Sequence, residues 1–175
     1  MSESITRPHK LIPDPALHII LYEPEIPANT GNIARLCAAA ELPLHLIHPL
    51  GFKTDDRHLK RAGLDYWSEV DVREHHDFDS FLQFWYSTTI PTGNAESHAL
   101  LFALSARAAT PYNRAKDFKR GSGLIFGPET RGLSLSLMDR YPTLTIPMWG
   151  RVRSINLSTS VGIVAYHFLQ QLNLF

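Results

Sequence analysis

Three short segments hold side chains of types and spacings that could do chemistry. In N-T-G-N-I-A-R, Asn29, Asn32 and Arg35 follow at steps of three, which places them on one face if the segment is a helix. A second segment, Gly127-Pro128-Glu129-Thr130-Arg131-Gly132, puts a carboxylate between glycines. The third, Arg153-Ser154-Ile155-Asn156-Leu157-Ser158, brings a guanidinium, hydroxyls and a carboxamide into six residues. Small residues, free main-chain groups and a few polar side chains beyond strand ends are what open α/β sheets use to hold a ligand. The same residues also have plain structural uses: a solvent-facing stripe on a surface helix for Arg35, a loop anchor for Glu129, a helix cap for Asn156.

Other chemistries are disfavoured. No G-x-G-x-x-G follows the first apolar run and no G-x-x-x-x-G-K-[ST] occurs, which argues against a standard dinucleotide or P-loop nucleotide site. There is no H-E-x-x-H, no thiolate cluster and no G-x-S-x-G elbow, so the nine histidines read as scattered core or surface residues and no metal is expected. The lone Cys37 lies among Ile33, Leu36 and Ala40 in a helical pattern and reads as a buried structural thiol in a reducing compartment.

The elements that must position the three segments can be read from apolar runs and their stops. Leu17–Tyr22 reads as a buried strand, and Asn29–Glu41 as a helix capped by Asn29 or Thr30. Leu44–His48 is a second strand, Thr54–Gly63 a short basic helix, and a third strand falls within Trp67–Arg73. A helix over Asp77–Tyr86 packs Phe78, Phe81, Leu82 and Trp85 inward, and Ser87–His98 reads as an exposed loop. Leu100–Leu104 is a fourth strand; Ala106–Arg120 is polar, basic and irregular. Strands at Leu124–Phe126 and Leu144–Ile146 flank a short helix near Ser134–Tyr141, and each is stopped by a proline. The last helix carries the stripe Leu157, Val161, Val164, Phe168, Leu172, with Ser154 or Asn156 as cap. Ile163, Tyr166 and Leu174 form a second apolar face, which asks to be buried or covered by a second subunit. Alternation of strands and helices predicts an α/β fold, a mostly parallel sheet with helices on both faces.

A chain of 175 residues with 44% hydrophobic content suits one domain, here 17–175, behind a flexible arm over residues 1–16. The N-terminus lacks the apolar core of a signal peptide and no apolar run spans a membrane, which predicts a cytoplasmic protein. Seventeen basic and seventeen acidic residues cancel, which argues against a protein that coats nucleic acid without selection. The charges are nevertheless segregated: acids cluster over Asp65–Asp79, whereas Arg107–Arg131 is mainly basic and Leu144–Phe175 holds Arg151 and Arg153 with no acid. A local basic face fits this as well as solvated charge of both signs does.

Taken together, N-T-G-N-I-A-R, L-I-F-G-P-E-T-R-G-L and I-P-M…R-S-I-N-L-S-T-S-V resemble the three motifs of the SPOUT class of RNA 2'-O-ribose methyltransferases. L-Y-E-P-E-I-P-A-N-T-G-N-I-A-R-L-C and R-A-G-L-D-Y-W look most like its small single-domain members that methylate the wobble nucleotide of tRNA. The resemblance runs from about Leu17 to Leu172. It implies a C-terminal trefoil knot that holds S-adenosylmethionine, released as S-adenosylhomocysteine, in a pocket of Leu104, Gly127, Ile146 and Ser154, with Pro128, Met148 and Leu157 near by. It puts Arg35 at the active centre with Asn29, Glu129, Ser154 and Asn156 around it.

The implied reaction is displacement by a ribose 2'-hydroxyl on a sulfonium methyl, with no metal and RNA rather than DNA as substrate. Arg35 would then act as a bidentate phosphate clamp, the base being left open. The resemblance further implies a homodimer to which Tyr166 contributes, and tRNA contacts from Arg107, Arg114, Lys119 and Arg151. Wobble C or U of leucine tRNA is the substrate it suggests. Methylation of another tRNA position or of rRNA, or an RNA-binding protein of the same fold without activity, are the alternatives.

Overall fold

Near-continuous apolar runs such as Leu17–Leu21 and Leu124–Phe126 are what a strand needs when both its faces are covered. In the computed structural model, which describes residues 11–53, 64–89 and 100–175, they lie at the centre of a seven-stranded sheet. The strands are β1 (Leu17–Tyr22), β2 (Leu44–Ile47), β3 (Val72–His75), β4 (Leu101–Leu104), β5 (Thr110–Pro111), β6 (Ser122–Phe126) and β7 (Thr143–Thr145). Their order is β3-β2-β1-β6-β4-β7-β5, and every pairing is parallel. Among the described residues four α-helices cover it: α1 (Pro27–Ala40), α2 (Phe78–Thr89), α3 (Leu135–Met138) and α4 (Leu157–Gln171).

The pleat divides the core in two. Leu17, Ile19 and Leu21 of β1 join Leu124 and Phe126 of β6 against Ile33 and Cys37 of α1 and Val161, Val164 and Phe168 of α4. Ile20 and Ile125, one step out of phase, face Phe81, Leu82 and Trp85 of α2 and Leu137 of α3. Cys37 is buried in the first of these clusters, and burial pushes its thiol pKa well up, as an inert structural thiol requires.

Several local expectations are corrected. The N-cap of α1 is Ile26, with no side-chain cap bond, and Pro27 takes the first turn, where its missing N–H costs nothing. Asn29 and Thr30 therefore sit inside the helix, buried. Leu64–Glu69 is a 3-10 helix and the third strand begins only at Val72. Helix α2 runs on to Thr89, its end held by Ser87 and Thr88 hydroxyls that donate back to the Phe84 carbonyl at 2.8 and 2.9 Å. The predicted helix Thr54–Gly63, most of the predicted loop Ser87–His98 and the first ten residues lie outside the described residues. Of the predicted arm, Ile12 donates its N–H to Asp71 at 2.9 Å and Asp14 pairs with Arg120 at 3.1 Å.

Among the described residues the histidines are less scattered than their spacing suggests. His18, His45 and His75, one from each of β1, β2 and β3, form a buried chain between the sheet and α2. His18 Nδ1 meets His45 Nε2 and His45 Nδ1 meets His75 Nε2, both at 2.9 Å. Burial is the main cause that lowers all three, His18 to about 3, His75 to about 4 and His45 well below the ordinary range, so the chain is neutral. No group of His, Cys, Asp or Glu suited to hold a metal occurs among the described residues.

Candidate active site

A proline after β6 and another after β7 force both chains out of the sheet at their carboxyl ends, and Pro24 does the same after β1. The three loops meet there, at a cleft of about 380 Å³. Every residue assigned to cofactor binding from the sequence lines it: Leu104, Gly127, Pro128, Ile146, Met148, Ser154 and Leu157. So do Asn29, Glu129 and Asn156, together with Arg107. Gly127 is required by close packing, since a Cβ there would stand 2.5 Å from the Leu133 amide nitrogen; Gly132 has φ +65°, which disfavours any other residue.

One hydrogen-bond chain stitches the three loops together. The Glu129 carboxylate accepts from the main-chain N–H of Glu25 at 2.8 Å, that of Ile26 at 3.2 Å and the Asn29 amide at 3.0 Å. Asn29 Oδ1 accepts from the Asn156 amide at 2.9 Å. Asn156 Oδ1 accepts in turn from the N–H groups of Ser158 at 2.9 Å and Thr159 at 3.3 Å, capping α4. A carboxylate at one end and main-chain donors at the other leave one sense for both amides. The clasp is reciprocal, because the Glu25 carboxylate accepts from the Thr130 N–H and hydroxyl, both at 2.9 Å, and these bonds lower its pKa.

The structure does not bring every candidate to the cleft. Arg35 is exposed on α1 and is absent from the lining, as are Arg114, Lys119 and Arg151. Arg107 donates to the Leu133 carbonyl, and Arg131 pairs with Glu23. Glu25, Thr130 and Ser105 were not singled out in the sequence. A carboxylate three residues past a strand end, opposite a P-E-T turn, is the available signal for Glu25, but its partner lies over a hundred residues away.

Comparison with known proteins agrees with this geometry. Residues 16–166 match the model of the SpoU rRNA Methylase family. Two relatives called tRNA (cytidine(34)-2'-O)-methyltransferase, from Photorhabdus asymbiotica and Escherichia coli K12, are 48% and 46% identical over 89% of this chain and 94% of theirs. A solved structure described as "Structural insights into the 2-OH methylation of C/U34 on tRNA" is 49% identical, with a TM-score of 0.80 over 91% of this chain and 97% of the other. The motifs, the strand-end cleft and these matches together place the chain in the SpoU methylase family.

Proposed function

We propose that this chain methylates the ribose 2'-hydroxyl of the wobble nucleotide, C or U, of tRNA, with S-adenosylmethionine as donor and leucine tRNA as substrate. The observation that carries the proposal is the convergence of all three motif segments on one cleft, joined through Glu129, Asn29 and Asn156. The names of the 46–48% identical relatives support the reaction and the position.

The lining suits a nucleoside with a sulfonium side chain. Leu104, Ile146, Met148 and Leu157 offer apolar walls, and the glycine-bearing loop brings main-chain groups close. The two cations in the lining are engaged elsewhere, Arg107 by a carbonyl and Arg131 by Glu23. When bound, S-adenosylmethionine supplies the methyl electrophile, which leaves the protein to align donor and acceptor. Alignment of this kind contributes about 7–11 kcal/mol.

Arg35, six residues beyond Asn29 on α1, clamps the substrate phosphate and steadies the developing oxyanion. A guanidinium keeps its protons, so Arg35 is not the base. Ser154 stands at the cleft beside Asn156; Arg107, whose guanidinium has donors beyond the one given to Leu133, contacts RNA from the lining, and Arg114, Lys119 and Arg151 extend that contact outside it. The knot implied by the motif resemblance is made by the β6 and β7 loops with α4. Tyr166, 46% exposed, with Ile163 and Leu174 forms an apolar face that a second subunit covers, giving a homodimer in the cytoplasm. Among the described residues no helix is long and apolar enough to cross a membrane.

The test is transfer of labelled methyl from S-adenosylmethionine to tRNA lacking wobble ribose methylation, followed by mapping. Label at the wobble ribose is the expected result. Label at another nucleotide overturns the position, and no transfer to any tRNA overturns the function.

A further inference from the structure

The loop between β7 and α4 sends neighbouring side chains to opposite destinations. Met148 and Ser154 line the cleft, whereas Trp149 between them is 94% exposed, the most exposed large apolar side chain among the described residues. Tryptophan is well buried on average, and leaving so large an apolar surface in water is costly without a use for it. Residues 149–154 are all exposed, and beside Trp149 a Cβ on Gly150 would meet nothing within 4 Å, so this stretch of the loop faces open space.

The surroundings of Trp149 say what kind of partner it meets. Arg151 and Arg153 follow at steps of two, both exposed and, among the described residues, without an ion-pair or hydrogen-bond partner. No acidic side chain occurs from Arg140 to Phe175. Val152 is the one other large apolar residue exposed in this loop, which is too little for a protein interface core. An aromatic face with guanidinium groups beside it is the arrangement that single-stranded nucleic acid uses, base on ring and phosphate on cation. The apolar surface suited to a second copy lies elsewhere, where Tyr166 of α4 and Phe175 place their rings 5.9 Å apart.

We infer that Trp149 is a stacking platform for an unpaired base of the RNA substrate, with Arg151 and Arg153 holding the adjacent phosphates. The inference rests on the cleft being a site of tRNA ribose methylation and names the residue that presents the loop nucleotide to it. Stacking on Trp149 flanks the target nucleotide and is independent of cofactor binding. It selects single-stranded loops over duplex, because paired bases hide their faces.

The test measures affinity of the full chain, and of Trp149→Ala and Trp149→Phe, for the anticodon stem-loop of leucine tRNA and for a blunt RNA duplex. S-adenosylhomocysteine affinity and sedimentation are followed in parallel. The account expects about a tenfold loss of stem-loop affinity in the Ala variant, with most of it restored by Phe. Duplex affinity, S-adenosylhomocysteine affinity and oligomeric state stay unchanged, the last two also showing that the variant is folded. Equal stem-loop binding by Ala variant and parent overturns the platform, and a change of oligomeric state in the Ala variant assigns Trp149 to a second copy instead. If the parent binds the stem-loop through Trp149 yet methylates no tRNA, the platform stands and the proposed function fails. If it binds no RNA, both fall.

Discussion

Two polar chains cross this molecule, and each links side chains from three parts of the fold. One runs Glu129–Asn29–Asn156 at the carboxyl ends of the strands; the other runs His18–His45–His75 beneath α2. The first has one sense, set by a carboxylate and by the amides of a helix N-terminus, and it borders a cleft open to ligands. The second has no charged end among the described residues, so its two bonds are satisfied with the protons pointing either way, and it is closed off by Phe81 and Trp85. The lesson is that connectivity alone does not mark a functional site. A polar chain at a strand-end cleft orients groups toward a ligand, whereas the same kind of chain inside a core holds strands together and stays neutral.

This contrast separates stability from activity, and acid is the strongest way to expose it. The three histidines bind protons in the unfolded chain near the ordinary pKa of about 6.5 but not in the folded one. Their contribution is therefore complete above that pH and is lost on acidification toward the folded values, about 4 for His75 and about 3 for His18. Stability should fall by about 1.4 kcal/mol per pH unit for each of the deeply buried His18 and His45. Thermal unfolding followed from neutral pH downward checks the slope, and His45→Gln, which does not titrate, should flatten it.

His45→Ala removes two buried hydrogen bonds and opens a cavity, so a loss of about 3 kcal/mol is expected in denaturant unfolding. Methyl transfer per folded molecule should not change. Arg35→Lys behaves in the opposite way: it keeps the charge but loses the fork, and methyl transfer should drop about 100-fold with unfolding and S-adenosylhomocysteine affinity nearly unchanged. An active Lys variant would remove the clamp from the account.

The smallest effect divides the roles of Asn156. Ala at this position loses the cap, worth about 1 kcal/mol in unfolding, along with the bridge to Asn29. Asn156→Asp keeps acceptors for Ser158 and Thr159 but has no donor for Asn29. It should keep the cap and lose the transfer. If Asp transfers methyl as well as the parent, the Asn29 bridge serves the fold only.

Much of the site was legible because its signals are local. Prolines after apolar runs announced that β6 and β7 end in loops, and the residues beyond them, Gly127 to Glu129 and Ser154 to Leu157, do line the cleft. The Asn156 cap was likewise visible in the onset of a helical stripe. What escaped notice depends on long-range pairing. Asn29 looked like a helix cap because asparagine favours that position, but its partners, Glu129 and Asn156, lie 100 and 127 residues away. The histidine chain needs the register of three parallel strands, which spacing within one strand cannot give. The parallel sheet was legible from alternation, while its order, with β6 between β1 and β4, was not.

The central claim is that a wobble ribose 2'-hydroxyl is the group brought to this cleft. Its most direct test compares methyl transfer to two leucine tRNA anticodon stem-loops that differ by one oxygen, the wobble nucleotide carrying either a ribose or a 2'-deoxyribose. The account predicts transfer to the first and none to the second, with both bound. Equal transfer to the two would contradict it, because the accepting atom would then lie elsewhere.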